Sequence, residues 1–480
     1  MKVLKYAIGY IPINVIPALI SVIATIVFTR IFPVSSYGYY SIAITILAPI
    51  IAFFSQIISE PLGRYLREYD NNNLITLAEN IIDVAWTYIA LLLLMLFVSI
   101  DVFSMLRLQS IFSLIIASEL FIVSQLTDDV FLPILPIRFL VKDYRNISIG
   151  LHIVAFVLSL FLIVSFGPHI SLVIWGSAIS SFIAFPFILK KSQLVFRPTL
   201  RLSSSKHFWK FIKYGLPMAL WTLVSIAMSS SDRLLVAIYL GPRAVAIYSV
   251  SNSLGGRMIS LFSVPLVTAL YPVLLSEMSQ DNQSIQTSIT DMTGILVIIG
   301  LAIVGLLKDL GMSTLLLLFG KPYQNGFIVL SLSATSSLLW GIGTLGHKNL
   351  QLTAQTRRIL LNSVVALVIN IFGGIILIPQ FGLMGAPAAL LLGYTYYTYA
   401  TWRASKTSIL WIIPWQTIIS AFSSFVLATI VASLVSNNTS SPYLRPESAA
   451  FLFITTYSLV IVILVKTLNI KLVRNSAAEG

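Results

Sequence analysis

The stretch YGLPMALWTLVSIAMSSSDRLLVAIYLGPRAVAIY, residues 214–248, organises the rest of the chain. It follows a strongly basic segment and enters an apolar helix that carries Asp232 and Arg233 side by side. It leaves that helix at Gly241–Pro242, a pair of residues typical of turns. The stretch therefore predicts two apolar helices joined by a tight turn.

A weaker copy of this turn lies in the first half of the chain. Residues 31–42 read IFPVSSYGYYSI and residues 239–250 read YLGPRAVAIYSV, so that Tyr40 corresponds to Tyr248. Each copy falls between the first and the second apolar helix of its half. The sequence therefore predicts two related lobes joined near residue 200.

The composition is that of a membrane protein. Hydrophobic residues make up 57% of the 480 residues and charged residues only 10%, whereas soluble proteins contain about 25% charged residues. The net charge of +13 comes from basic residues in short loops between apolar spans. This distribution is typical of membrane proteins and argues against a nucleic-acid-binding function. The absence of Cys excludes disulfides, thiolate catalysis and Cys-based metal sites. Lys2 and Lys5 precede a retained first helix rather than a signal peptide.

Fourteen windows of about 20 apolar residues are long enough to cross a bilayer. They lie at 7–29, 39–59, 81–100, 111–132, 147–166, 170–189, 214–240, 246–272, 292–310, 327–346, 359–378, 385–402, 413–435 and 448–465. The predicted fold is an all-α polytopic membrane protein. It has a six-helix lobe at 1–195, a basic cytoplasmic linker at 196–213, a second six-helix lobe at 214–405, and two further helices with a tail at 406–480. Because six is even, both lobes enter from the same side as parallel repeats.

The distribution of Lys and Arg predicts the orientation. With the N-terminus inside, 22 of the 30 Lys and Arg residues fall in inner segments and 6 in outer ones. Basic residues concentrate on the cytoplasmic side of membrane proteins. Both termini are therefore predicted to be cytoplasmic.

Ionisable residues inside the spans are the candidate functional groups, because a charge in the membrane usually faces a cavity or a partner. Arg257 and Glu119 fall near the middle of their helices, and Asp232–Arg233 and Asp128 lie nearer to helix ends. Arg257 either contacts an anionic substrate or forms a salt bridge with Glu119 or Asp232. For Asp232–Arg233, pairing with other helices is the favoured interpretation, and for Asp128 an interfacial helix end.

Prolines and missing motifs complete the sequence evidence. Pro12, Pro17 and Pro217 occur in the first helix of each lobe and are candidate bending points, with harmless kinks as the alternative. The four His have no metal-ligand spacing, and no phosphate-binding loop or Ser nucleophile elbow occurs. The chain is therefore expected to have no cofactor or metal site and not to be an enzyme.

Three segments resemble one family. TRIFPVSSYGYYSIA (29–43), SDRLLVAIYLGPRAVAIYSVSNSL (231–254) and IPQFGLMGAPAALLLGY (378–394) are similar to helix connections of the polysaccharide-biosynthesis flippases. These belong to the multidrug/oligosaccharidyl-lipid/polysaccharide exporter superfamily, and the chain departs from them at Ala246. The resemblance implies two bundles in a MATE-like V around a cationic cavity. It also implies alternating-access transfer of undecaprenyl-pyrophosphate-linked oligosaccharide across the bacterial inner membrane.

The resemblance assigns roles to the candidate residues and partners. Arg257, Arg233 and Arg30 are candidate substrate contacts, and Glu119, Asp232 and Asp128 are candidate coupling or salt-bridge groups. The flippase is expected to be a monomer that supplies O-antigen, capsule or exopolysaccharide synthesis. Its expected partners are membrane lipids, a polymerase and chain-length proteins, and H⁺ and Na⁺ are the candidate coupling ions. A cation-coupled multidrug exporter is the alternative. A membrane glycan polymerase is disfavoured because the outer loop at 436–447 is short.

Overall fold

The computed structural model describes residues 2–71, 109–138, 140–192, 205–277, 282–353, 355–438 and 444–467. All regular secondary structure in these ranges is helical. The chain divides into two compact units, Met1–Ala227 and Met228–Gly480. The division falls inside one long helix, and the predicted lobe and linker boundaries stay predictions.

The described part of unit 1 contains six helices and the beginning of a seventh. They are α1 (Lys2–Ile31), α2 (Val34–Asn71), α3 (Gln109–Phe131), α4 (Ile134–Ile137), α5 (Val141–Phe166), α6 (Ser171–Ser192) and the first part of α7 (Ser205–Glu277). Small residues bring α5 and α6 close together: a Cβ on Gly176 would lie 2.3 Å from the Ser159 Oγ. Such close approach is typical of helix pairs in membranes. This pair forms one wall of the cavity described below.

In the described ranges, unit 2 contains the remainder of α7 and seven further helices. They are α8 (Asn282–Phe319), α9 (Phe327–Gly346), α10 (Lys348–Leu352), α11 (Thr356–Phe381), α12 (Gly385–Ser405), α13 (Trp415–Asn438) and α14 (Leu444–Thr467). Short 3₁₀ helices at Lys321–Gly326 and Gly382–Met384 connect neighbouring elements. Aromatic side chains fill part of the core, with Trp340 packed between Tyr394 and Tyr397 at ring-centroid distances of 5.0 and 4.9 Å.

The helices are apolar on their outer surfaces as well as in the core. Ten stretches of the described residues are long and apolar enough to cross a membrane, and outward-facing Val164 and Ile238 are 85% and 74% exposed. A helix that is apolar all round belongs in a membrane or a large core. The predicted polytopic helical class is therefore confirmed. The predicted span at 81–100 lies outside the described residues, and the total of fourteen stays a prediction.

The predicted turn at Gly241 is confirmed. Gly241 has φ 80° and ψ 178°, and this non-helical residue divides α7 into two helical segments. A positive φ is favourable only for Gly, which explains the residue at this point. The helical conformation continues through Pro12, Pro17 and Pro217. Since α7 begins at Ser205, Pro217 lies inside the helix rather than at its first turn.

Candidate functional site

Unit 1 contains an open cavity lined by α2, α3, α4, α5, α6 and the first part of α7, and most of the residues that line it have polar side chains. Its volume is about 930 Å³, near the upper end of the range of about 300–1,000 Å³ for ligand sites. Its polar lining consists of Ser55, Gln56, Ser59, Glu60, Gln125, Asp128, Asp129, Tyr144, Ser148, His152, Ser177, Ser180, Ser181 and Thr222. A polar chamber therefore lies inside helices whose other faces are apolar.

Asp128 and Asp129 at the end of α3 supply two carboxylates to this cavity. Asp128 is only 8% exposed and lies near Ser181, whose Oγ accepts a hydrogen bond from the Gln125 Nε2 and donates one to the Ser177 carbonyl oxygen, both at 3.3 Å. The Asp128 Oδ1 is buried without a hydrogen-bond partner. Asp129 is exposed and lies near Ser55, whose Oγ donates to the Ala52 carbonyl oxygen at 3.3 Å. Asp128 is thus nearly buried in the cavity wall, whereas Asp129 is accessible.

Glu60 on α2 and His152 on α5 add two more titratable groups. The His152 Nδ1 lies 2.8 Å from the Ser148 carbonyl oxygen, which can only accept, so this nitrogen carries a proton. The described lining residues include neither Lys nor Arg. The cavity wall is therefore acidic.

The polar lining follows a helical spacing that is visible in the sequence. Polar residues recur at intervals of three or four positions, which places them on one face of each helix. The pairs are Ser55 and Ser59, Gln56 and Glu60, Gln125 and Asp129, Ser148 and His152, and Ser177 and Ser181. No role is predicted for Glu60 or His152, and Asp128 is predicted at an interfacial helix end rather than in a cavity wall.

Unit 2 contains a separate polar cluster around Asp232. Asp232 is 1% exposed; its Oδ1 accepts a hydrogen bond from the Arg233 backbone N–H at 2.8 Å, and its Oδ2 accepts one from the Tyr248 hydroxyl. Nearby, the Asn370 Nδ2 donates to the Met228 carbonyl and to the Ser231 Oγ, both at 3.2 Å. The Asp232 carboxylate therefore has one hydrogen-bond donor on each side of the Gly241 turn.

The three candidate arginines occupy different environments. Arg233 is half-buried, and its Nη2 lies 3.4 Å from the Ser253 Oγ. Arg257 is half-buried on the second segment of α7, where its backbone carbonyl accepts a hydrogen bond from Ser260. Arg30 is exposed near the end of α1. Glu119 is half-buried on α3 and is not among the residues that line the unit 1 cavity.

These features define a polytopic helical membrane fold with a pocket lined by polar side chains. Solved structures share this fold. The chain is similar to the lipid II flippase MurJ in its inward closed conformation, with a TM-score of 0.74 and 16% identity over 98% of this chain and 100% of that one. It is also similar to an inward-facing multidrug resistance MATE transporter, with a TM-score of 0.64 and 14% identity over 83% and 97% of the two chains.

The sequence identifies the family. Residues 3–279 match the family model of the polysaccharide biosynthesis proteins, and the chain belongs to this family. A sequence search of the curated proteins gave no match. The family assignment confirms the resemblance found in the helix connections, and the structural neighbours are transporters and flippases rather than catalytic enzymes.

Proposed function

We propose that this chain is a flippase that moves undecaprenyl-pyrophosphate-linked oligosaccharide from the inner to the outer leaflet of a bacterial inner membrane. The glycan would serve O-antigen, capsule or exopolysaccharide synthesis, with a polymerase and chain-length proteins acting on the product. Membership of the polysaccharide biosynthesis family and the flippase-like fold support the proposal. Both termini lie in the cytoplasm, and transport proceeds by alternating access.

The observation that carries the proposal is the polar cavity of unit 1. Sugar hydroxyls lose hydrogen bonds to water when they enter hydrocarbon, and an unsatisfied polar group there costs several kcal/mol. The cavity offers carboxylate, amide and hydroxyl groups in a volume of about 930 Å³. The polyprenyl tail needs no such chamber, because hydrocarbon is its natural solvent.

Two further roles belong to the proposal. Asp128 and Asp129 are the candidate sites for a coupling H⁺ or Na⁺, because their carboxylates lie in the cavity wall. Arg257 is the candidate contact of the pyrophosphate, because a planar guanidinium can donate two hydrogen bonds to phosphate oxygens.

Among the described residues, no group of three or more His, Asp and Glu side chains is arranged to hold a metal.

A matched pair of substitutions on α5 tests the flippase function. Ala155 lines the cavity, whereas Val157, two residues further on, faces outward and is 55% exposed. We expect Ala155→Phe to reduce flipping of a lipid-linked oligosaccharide at least tenfold in reconstituted vesicles, and Val157→Phe to leave it within about twofold of wild type. Wild-type protein that flips no such lipid, with H⁺ and Na⁺ gradients imposed in turn, would refute the proposal.

The acidic lining favours one alternative function, export of lipophilic cations. Carboxylates without a nearby Lys or Arg attract cations, and the neighbouring MATE structure is a multidrug resistance transporter. Uptake of a fluorescent lipophilic cation by the same vesicles separates the two functions. Cation transport without lipid flipping would support the exporter.

A further inference from the structure

The chemistry of the unit 1 cavity wall points to a class of sugar. We propose that this cavity holds the glycan of the lipid-linked substrate, accepts neutral and amine-bearing sugars, and rejects sugars with carboxylate, sulfate or phosphate substituents. The proposal rests on the flippase function proposed above and adds the selectivity of its binding site.

The cavity has the size and the hydrogen-bonding groups that a short glycan requires. A volume of about 930 Å³ accommodates a drug-sized ligand or larger, and Phe121 and Tyr144 add aromatic rings to the lining. Each ionised carboxylate accepts hydrogen bonds at two oxygens and donates none. Sugar hydroxyls and ammonium groups are donors, so the carboxylates of the wall are complementary to them.

Asp128 provides an independent sign of a missing donor. Its side chain is more than nine-tenths buried and lines the cavity, yet its Oδ1 has no hydrogen-bond partner. Buried polar atoms in native structures nearly always have partners, and each exception requires an explanation. Because this oxygen is itself buried, a hydroxyl or ammonium group of the bound glycan supplies the missing donor when the Asp128 carboxyl group turns toward the cavity.

The same wall opposes an anionic sugar. Glu60, Asp128 and Asp129 all line the cavity, and among its described lining residues His152 is the single side chain that can become cationic. Placing like charges together across an interface strongly disfavours binding. A uronic acid in the cavity would face three carboxylates without an Arg or Lys from the described lining to compensate.

The experiment compares three substrates that differ at one sugar. The full-length chain is reconstituted in vesicles with undecaprenyl-pyrophosphate-linked disaccharides that end in a hexose, in the corresponding uronic acid, or in the corresponding hexosamine with a free amine. The neutral and the amine-bearing substrates are expected to flip at least tenfold faster than the uronic acid. Asp129→Asn, which removes an accessible charge, is expected to narrow this ratio to about threefold or less.

A control of the same chemical type lies on α5. Asp143 pairs with Lys191 at 2.9 Å and does not line the cavity. Asp143→Asn therefore removes one negative charge from unit 1 and is expected to leave the substrate ratio unchanged. Thermal stabilisation of the purified variants by the soluble disaccharides reports binding directly, so that a variant with poor transport still gives a result.

The outcomes separate the two proposals. If the wild type flips the uronic acid as fast as the hexose, the selectivity proposal is wrong and the flippase function stands. An equal change of the ratio in Asp143→Asn and Asp129→Asn would also overturn it, because the effect would then not come from the cavity. A wild type that flips none of the three lipids refutes the flippase function and the selectivity with it.

Discussion

Replacing Tyr248 with Phe tests how the Gly241 turn is held. The Tyr248 hydroxyl donates to the Asp232 Oδ2, and Gly241 lies between these two residues. Tyr248 is fully buried, and Asp232 is 1% exposed. The substitution removes one oxygen atom and leaves the Asp232 Oδ2 in the core without this donor. We expect the two segments of α7 to lose a direct connection.

The expected loss of stability follows from the burial of both groups. Leaving a buried acceptor unsatisfied costs about 1–3 kcal/mol, and the largest values measured for single interhelical hydrogen bonds in a membrane protein are about 1.7 kcal/mol. We therefore expect Tyr248→Phe to lower the free energy of unfolding by about 1.5 kcal/mol. Since 1 kcal/mol shifts Tm by about 2–4 °C in a unit of roughly this size, Tyr248→Phe should lower Tm by about 3–6 °C.

Thermal unfolding of the purified protein in detergent measures this shift. Tyr239→Phe is the control. Tyr239 lies on the helical segment before the turn and is 43% exposed, so this variant also loses a tyrosine hydroxyl but leaves no buried acceptor without its donor. Its Tm should stay within about 1 °C of wild type. The double variant Asp232→Leu with Tyr248→Phe should recover at least half of the loss, because it removes the acceptor that Tyr248→Phe alone leaves without its donor. A Tm of Tyr248→Phe equal to wild type would refute the reasoning.

Two further predictions concern the proposed transport path. Arg257→Ala should abolish glycan export at normal membrane abundance, and Arg257→Lys should retain part of the export because the charge survives. Surface glycan normalised to membrane protein measures both effects. Full export by Arg257→Ala would remove this residue from the mechanism. Reporter fusions at Ser204 and Asn475 should give cytoplasmic signals and a fusion at Asn438 an external one, because Lys and Arg concentrate on the proposed inner side; an external signal at Ser204 would contradict the orientation.

The cavity shows which parts of a site can be predicted from sequence. The cost of a carboxylate in an apolar helix makes Asp128 a candidate functional residue, but its predicted position at an interfacial helix end does not reveal the cavity that it lines. Glu60 and His152 lie on other helices, and their spacing from Gln56 and Ser148 places them on polar faces. Which polar faces turn toward one another depends on the rotation and packing of whole helices. That packing brought the three residues together.

The sequence by itself determined the membrane class, the position of many helices and the Gly241 turn. The window predicted at 327–346 coincides with α9 (Phe327–Gly346), because the free energy of moving a segment into hydrocarbon depends on its own residues. Only the tertiary structure decided which residue pairs with Asp232: the sequence placed the partner on another helix without identifying it, and the fold shows that it is Tyr248 on the helical segment after the turn. Hydrophobicity is a local property of the chain, whereas a hydrogen bond between distant residues depends on the angle at which two helical segments meet.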